Sequence, residues 1–561
     1  MPDKDLQERW FAEPLSYLTI DQGVFQTNRA GHPSLGRNHQ EMINSYMRLK
    51  NAPWLILTDC GPSAESLAEP AEPVDQKDKD FPTLAESTQA RKENHRPHTL
   101  ALNVYIGYMR YLERQQPPYS AVLETQSLVQ FQDYLQSPLQ PLADNLESAT
   151  YEVFEGDPVK YDQYQAAITE AMAEWKILKK PTSDVASENH PGTDLIVAVA
   201  GAGRGPLVTR VLRAAAATNT SIQLWALEKN QNAYVYLLRQ NKLVWNNQVT
   251  VVKTDMRAWN GPVPKHSPNS PPTKLDILVT ELLGSFGDNE LSPECLDGIQ
   301  RHIATPHGIS IPHNYTAVLS PIATPRIFAD LSHRSATGDE NAFETPWVTR
   351  LYQINYLSQK GVPGKPRFQD AWEFAHPVPL LREDEFIEKN GKNVKYQTGA
   401  GGAITGSAGT NEHNARQCHL TFVCPRKGVC HGLGGYFTSV LYASQVEGSG
   451  KAPVEISIVP DQIDRKSKDM ISWFPIFFPL KVSGITHMPP SKRKTGFANW
   501  CYDRNPFTSP RTPSLRSPCG ARRMIPRSGM SGSSRPSPGL GPRRASRWAP
   551  RSCTAVGRLL A

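Results

Sequence analysis

The chain has 561 residues, 39% of them hydrophobic and 20% charged, enough apolar content to bury cores in about three or four domains. Its formal net charge of +7 is a poor nucleic-acid signal, because residues 482–561 hold fifteen Lys and Arg against Asp503 alone (+14) and leave −7 for residues 1–481. Eight cysteines without a C-x-x-C pair argue against a disulfide framework and for reduced thiols in the cytoplasm or nucleus.

In chain order, Met1 to Trp10 has no apolar run, so no secretory signal is expected. A turn is predicted at Phe25-Gln-Thr-Asn28, a helix over about Gln40 to Leu49, and a strand at Trp54-Leu-Ile-Leu-Thr58. Residues 64–97, with Asp75-Gln-Lys-Asp-Lys-Asp80 and little apolar content, read as a disordered insertion. Residues 182–193 read as a short surface loop. The apolar run Leu195 to Val199 reads as a buried parallel strand that enters Gly201-Ala-Gly203-Arg-Gly205, followed by a helix through Leu207, Val208, Val211 and Leu212. Glycines there let backbone approach a ligand and present N–H groups at a helix start. The G-x-G-x-G spacing is not that of nicotinamide sites, which disfavours that cofactor.

A second strand, Ile222-Gln-Leu-Trp-Ala-Leu, ends at Glu228, where a carboxylate can accept from a ribose diol. After a helix from Asn232 to Val244, the third, Val249-Thr-Val-Val-Lys-Thr, ends at Asp255-Met256, a pair suited to an adenine edge and face. The fourth runs from Leu275 to Glu281 and is broken by Gly284 and Gly287, so that Glu290 folds back towards Glu281. Ligands of open α/β sheets bind at such strand ends. Two carboxylates facing one pocket suit a planar cation with several N–H donors, a guanidinium. From Ile309 to about Leu480 the pattern changes to short alternating strands. Within it Cys418-His419, Cys424 and Cys430-His431 are open to two readings. A zinc site is possible in principle, but alternating Leu420, Phe422 and Cys424 followed by Pro425-Arg-Lys-Gly428 favour a β-hairpin returning from Val429. Gly399 to Gly409 reads as a flexible insertion. No run reaches the roughly 20 apolar residues of a membrane helix; Ile471 to Leu480 is too short and carries two prolines.

The stretch Gly201-Ala-Gly-Arg-Gly-Pro-Leu207, Ala226-Leu-Glu-Lys-Asn230, Glu281-Leu-Leu-Gly-Ser-Phe286 and Asp288-Asn-Glu-Leu-Ser-Pro-Glu-Cys-Leu-Asp-Gly298 resembles the S-adenosylmethionine-dependent protein arginine methyltransferases. Thr150-Tyr-Glu-Val-Phe-Glu155, Asp157-Pro-Val-Lys-Tyr161, His431-Gly-Leu-Gly-Gly-Tyr-Phe437 and Ser472-Trp-Phe-Pro-Ile476 resemble the symmetric-dimethylating protein arginine N-methyltransferase 5 family. The resemblance covers roughly residues 8–60 and 98–481. It implies an α/β, Rossmann-like methyltransferase domain over 119–305 and a β-barrel domain over 306–481 that lacks its last strands. Residues 1–118 would be a partial TIM-barrel remnant and 482–561 a disordered basic tail.

The same resemblance implies roles. Glu281 and Glu290 would clamp the substrate guanidinium; Gly201, Gly203, Glu228, Asp255 and Met256 would hold S-adenosylmethionine. Tyr151, Lys160 and Tyr161 would close over its methionine part, Phe154 would favour symmetric product, and Trp473 would line the arginine channel. No metal is expected. Implied substrates are Arg/Gly-rich segments of histones, splicing proteins and other RNA-binding proteins. Implied partners are a second copy of the chain and an adaptor, with no membrane and no direct nucleic acid, and the setting is cytoplasm and nucleus. The competing reading is a catalytically impaired fragment or scaffold, because both ends depart from the family. The start is late for a barrel of about 250 residues, and after Lys481 a shifted frame or unspliced intron explains the Ser/Pro/Arg-rich tail better than an evolved RNA-binding arm. A small-molecule methyltransferase would leave the Glu281/Glu290 pair unexplained.

Overall fold

The computed structural model describes residues 1–60, 97–116 and 126–378 (apart from 188–189, 267, 359, 362–363 and 365), 414–481 (apart from 427), 502–503 and 514–515. Most of the predicted insertion at 64–97, the glycine-rich segment 399–409 and nearly all of the tail from 482 lie outside them. The chain divides into two units, Met1–Tyr134 with Ala323–Arg326 and Tyr352–Asn355, and the remainder from Leu135.

In the first unit, helix α1 (Lys4–Ala12) is capped by Asp3, whose carboxylate accepts from the Leu6 amide. Strands β1 (Tyr17–Asp21) and β4 (Trp54–Thr58) pair in parallel, as in a β/α barrel, with helix α2 (Arg37–Met47) between them in sequence. The predicted turn at Phe25–Asn28 is corrected. Phe25–Thr27 is strand β2, paired antiparallel with β3 (Pro33–Leu35), and the reversal lies further on. Asn28 Oδ1 accepts from the amides of Ala30 and His32, and Gly31 takes φ +80°, so Asn28 begins the turn and does not end it. Ile20, Leu35, Ile43, Met109 and Leu112 form this unit's core, the last two from helix α3 (Pro97–Arg114).

The second unit holds two sheets. The first has the order β7-β6-β5-β8-β9, built from β5 (Leu195–Ala200), β6 (Ile222–Glu228), β7 (Val249–Lys253), β8 (Ile277–Thr280) and β9 (Ile309–Ile311). All registers are parallel. β5 and β8 are buried throughout, which is why they read as unbroken apolar runs. Helices α6 (Pro206–Ala217), α7 (Gln231–Leu243) and α8 (Ser292–Gln300) lie in the intervening segments. This order makes β7, β6, β5 and β8 neighbours, so Asp255, Glu228, Gly201 and Glu281 share one strand-end edge. Ile309–Ile311 joins this sheet as a fifth strand, although its sequence pattern reads with the later β strands.

The second sheet centres on β14 (Gly432–Tyr442), which pairs antiparallel with β10 (Asn314–Ala323) on one side. On its other side lie β15 (Val454–Ser457) and β16 (Ile476–Pro479). β11 (Trp347–Val348), β12 (Asn355–Tyr356) and β13 (Gln369–Ala375) complete it at seven strands. The hairpin predicted around Pro425–Gly428 does not form: residues 418–422 lie in no strand, and the next strand begins at Gly432 and not at Val429. Both edges of β14 are already occupied by β10, β15 and β16, so residues 420–424 cannot pair with it. Helices α4 (Ser148–Glu155) and α5 (Pro158–Ile177) precede the parallel sheet in sequence. Tyr164, Ile168 and Met172 of α5 share one apolar cluster with Val197 and Val199 of the first sheet and Phe437 and Ile456 of the second. That common core fixes the site-bearing elements. Among the described residues no helix is long and apolar enough to cross a membrane.

Candidate functional site

The turn after β5 is built by glycine conformation. Gly201, Gly203 and Gly205 all have positive φ (+70°, +56° and +96°), a region that costs residues with a Cβ. At Gly203 a Cβ would stand 3.1 Å from the Tyr151 ring, and at Gly205 one would stand 2.5 Å from the Trp245 ring. The Gly203 amide donates to Glu228 Oε2 (2.7 Å) and the Asn230 amide to Oε1 (2.6 Å). Glu228 is 5% exposed, and burial raises its carboxyl above the usual range despite these donors. Tyr151 lies beside it, its hydroxyl accepting from Asn230 Nδ2 at 3.4 Å, its pKa pushed up to about 12 by burial and then by the Glu228 charge.

Asp255 and Met256 stand at the end of β7 as expected, but Asp255 is already engaged. Arg257 donates to it through Nη2 at 2.6 Å, Nε at 2.9 Å and its amide at 2.9 Å. Burial would raise this carboxyl, yet the Arg257 contacts outweigh it and hold it below its ordinary value. An adenine amino group would share it with a guanidinium. The Met256 methyl packs near Gly201, 3.3 Å from where a Cβ would be.

The two glutamates are brought together by a tight reversal. Gly284 and Gly287 exchange amide–carbonyl bonds of 3.1 and 2.8 Å, and Asn289 Oδ1 accepts from the Phe286 amide at 2.7 Å. Gly284 leaves no room for a side chain, since a Cβ would lie 2.4 Å from Asn289 Oδ1. Leu291, directly after Glu290, is held at φ +64°, a strained value for a γ-branched residue. Glu290 keeps only partial solvent contact, and the protein packed around it lifts its carboxyl well above the ordinary value, with the Glu281 charge as second cause. Glu281 accepts from Lys160 Nζ at 3.2 Å.

Lys160 is 2% exposed. Its ammonium lies 4.7 Å from the Tyr161 ring centroid, 5.0 Å from Trp473 and 5.6 Å from Phe154. The residues assigned separately to methionine closure, product geometry and arginine channel therefore form one box around a cation, with Glu281 as its anionic wall. Trp473 is fixed by Nε1 donating to the Leu283 carbonyl (2.7 Å) and by an edge contact with Phe437 (5.2 Å). It also has φ +64°.

Three supporting residues escaped the motif reading. Asp157, 1% exposed, caps α5 through Oδ1, taking the Val159 and Lys160 amides at 3.0 and 3.4 Å. Its Oδ2 takes the amides of Ile471 and Ser472 at 3.0 and 2.7 Å, tying the Trp473 segment to the helix that carries Lys160. The Asp-Pro pair before an apolar helix was a readable capping signal for the first half only. Asn289, which fastens the reversal, and Arg204, which pairs with Glu152 at 2.8 Å and stacks 4.5 Å from the Tyr236 centroid, gave no signal beyond type. The Cys418–His431 set does not assemble. Among the described residues the one His/Cys/Asp/Glu group close enough for a metal is His190, Asp194 and His266.

Comparison with known proteins matches three consecutive domains of one family: "PRMT5 TIM barrel domain" over residues 1–115, "PRMT5 arginine-N-methyltransferase" over 123–311 and "PRMT5 oligomerisation domain" over 314–488. Among similar proteins, protein arginine N-methyltransferase skb1 of Schizosaccharomyces pombe is 35% identical over 480 residues, covering 86% of this chain and 61% of that protein. Protein arginine N-methyltransferase 5 of Xenopus laevis is 35% identical over 484 residues, covering 86% and 59%. The chain thus spans about three-fifths of the length of these relatives. A solved Trypanosoma brucei PRMT1 enzyme–prozyme heterotetrameric complex with AdoHcy overlaps 59% of the chain and 82% of its own at 11% identity and a TM-score of 0.37.

Proposed function

The chain belongs to the protein arginine N-methyltransferase 5 family, and from that premise we propose that it transfers methyl groups from S-adenosylmethionine to the guanidinium of protein arginine, giving monomethyl and then symmetric dimethyl product. The observation that carries the reading is the cation box. Glu281 and the rings of Phe154, Tyr161 and Trp473 surround a point where the protein's own Lys160 ammonium already sits, and Glu290 is near enough to feel the charges of Glu281 and Lys160. A pocket that holds one cation against a carboxylate and three rings is chemically suited to a flat, weakly hydrated guanidinium.

The donor half fits the residues present. Glycines 201 and 203, both at positive φ, turn the chain sharply at the end of β5 with the Gly203 amide bonded to Glu228, and Glu228 offers a buried acceptor at the next strand end, where a ribose diol would bind. When bound, S-adenosylmethionine supplies an electrophilic methyl on a sulfonium. Donor and acceptor are both cations, so their approach in a dry pocket is repulsive unless negative charge is supplied. Glu281 and Glu290 supply it, orient one terminal nitrogen and receive the proton that leaves as the guanidinium is methylated. Burial first and the Glu281 charge second raise the Glu290 carboxyl above its ordinary value; a guanidinium arriving beside the pair would favour its ionised form, with any proton passing to solvent. Lys160 would give up Glu281 to the incoming arginine. Phe154 narrows the box beside the guanidinium, which disfavours a second methyl on an already methylated nitrogen.

Gly/Arg-rich segments of histones, splicing proteins and other RNA-binding proteins are the proposed substrates, met in cytoplasm and nucleus. The −7 charge of residues 1–481 supports cationic partners. A homo-oligomer with an adaptor is the proposed assembly, supported by the oligomerisation-domain match. The scaffold alternative gains nothing from the site, whose carboxylates, rings and glycine turn are all in place. The reading is tested by incubating the protein with S-adenosylmethionine and a Gly/Arg-rich peptide and reading products by mass spectrometry. Symmetric dimethylarginine supports it; no transfer, or transfer to lysine only, refutes it.

A further inference from the structure

At the opposite, N-terminal edge of the parallel sheet lies a second cluster, at the strand ends away from Gly201 and Glu281. His190 lies in the loop leading into β5, and its Nε2 is 2.6 Å from Asp184 Oδ2 and 3.5 Å from Asp194 Oδ2. The side chain of Asp184 is wholly buried. Its oxygens also accept from the Val185 amide (2.9 Å), Gln223 Nε2 (2.8 Å) and the Asp194 amide (3.1 Å), so it is immobile and holds the His190 ring in place. His266, exposed and from the loop ahead of β8, stacks on that ring with centroids 3.8 Å apart and planes at 21°. One ligating atom from each of His190, Asp194 and His266 lies within 4.8 Å of the others.

The loop is shaped to make this meeting. Ser187 and His190 exchange backbone hydrogen bonds of 2.9 and 3.1 Å. Gly192 takes φ +70° at a place where a Cβ would lie 2.5 Å from the Ala186 amide nitrogen. Only a glycine lets the chain double back there and set His190 over Asp194. The bland reading is a histidine satisfied by Asp184. It explains one ring nitrogen of His190, but not why a second imidazole is laid face to face on it beside a second, buried carboxylate.

We propose that His190, His266 and Asp194 form a binding site for a divalent first-row transition ion of the zinc type, with Asp184 as the carboxylate that orients His190. Two imidazoles and a carboxylate are a donor set suited to such an ion, and a carboxylate bonded to a ligating histidine is the usual support that fixes ring orientation. Ligands around a tetrahedral ion stand roughly 3.3 Å apart, so no pair need close by more than about 1.5 Å, and the exposed His266 must also swing out of its stack so that both ring planes meet at the ion. A solvent molecule completes four-coordination. The ion would staple the loop before β5 to the loop before β8, neighbouring strands whose other ends carry Gly201 and Glu281. It would stabilise the sheet without entering the reaction.

The test titrates the metal-stripped full chain with Zn2+ against a chelating dye, and with Co2+ by visible absorption. The expected result is one ion bound per chain, a melting temperature that rises with Zn2+, and ligand-field bands of low-symmetry Co2+. His266→Ala and Asp194→Asn should each weaken binding at least tenfold, while His419→Ala leaves it unchanged and methyl transfer is the same with and without the ion. His190→Ala removes a contact of Asp184 and is read only beside His266→Ala, which sits on the surface. No binding by the wild-type chain, or binding that survives His266→Ala and Asp194→Asn, overturns the proposal.

Discussion

Replacing Asp157 with Ala removes the carboxylate that joins the Lys160 helix to the Trp473 segment, and its cost can be worked from the contacts. Losing the cap at the start of α5 costs about 1 kcal/mol. The amides of Ile471 and Ser472 lose a charged acceptor; taking the low end of the range, because water reaches part of this segment, gives about 1.5 kcal/mol each. The sum is about 4 kcal/mol, a large share of the roughly 5–15 kcal/mol that holds a domain folded. With a urea slope of about 2 kcal/mol per molar, the unfolding midpoint should fall by about 2 M. Function should change unevenly. Trp473, at φ +64°, directly follows the two amides that Asp157 holds, so releasing them should let it relax to a commoner conformation and open the cation box. KM for an arginine peptide should rise at least tenfold while donor affinity, set by Gly203 and Glu228, stays within about threefold. Asp157→Asn, which keeps an oxygen for one pair of amides, should fall between. A midpoint shift below about 0.5 M, or an unchanged peptide KM, would refute the reasoning.

Three further outcomes follow from the same geometry. Gly203→Ala should weaken donor binding about tenfold by calorimetry without changing the circular dichroism, because its φ of +56° and the Tyr151 ring at 3.1 Å leave no relaxed place for a methyl; unchanged affinity would remove the glycine turn from the donor site. Phe154→Met should let asymmetric dimethylarginine appear beside symmetric product in mass spectrometry, since a flexible thioether no longer walls the box; an unchanged product ratio would place the control of geometry elsewhere. Glu290 is raised well above 4.5 in the folded protein, so the stability tied to its proton is full below pH about 4.5 and is lost as pH rises through the folded value. Glu290→Gln, neutral throughout, should therefore gain on wild type in melting temperature as pH rises above 4.5, and a gap that shrinks with pH would contradict the burial of that carboxyl.

Much of the architecture was legible because its signals are local. β5 and β8 are buried along their whole length and so read as unbroken apolar runs, and each strand-end residue follows its run directly. Glu281 and Glu290 were legible for the same reason, since Gly284 and Gly287 mark the reversal between them. What stayed hidden depends on distant chain. Asp157 meets Ile471 and Ser472 across 314 and 315 positions, and no spacing rule reaches that far. The hairpin expected near Pro425 failed because alternation at 418–424 does not reveal that both edges of Gly432–Tyr442 are taken by other strands. The engagement of Asp255 by Arg257, only two positions on, was hidden because side-chain direction and not spacing decides it. The meeting of Lys160 with the aromatic box was hidden because Tyr161, Phe154 and Trp473 carried three separate implied roles until the core of α5 and the two sheets brought them to one point.

The central claim is that the paired carboxylates carry methyl transfer to arginine. It is tested most directly by measuring transfer from S-adenosylmethionine to a Gly/Arg-rich peptide with Glu281→Gln and Glu290→Gln beside the wild-type chain, with donor affinity measured on the same samples. Each variant should lose at least about a hundredfold in kcat/KM while donor affinity stays within about threefold, because the charges are needed when the two cations meet and not when the donor binds alone. A variant that retains most of the wild-type rate would make the pair a solvated acidic loop and contradict the account.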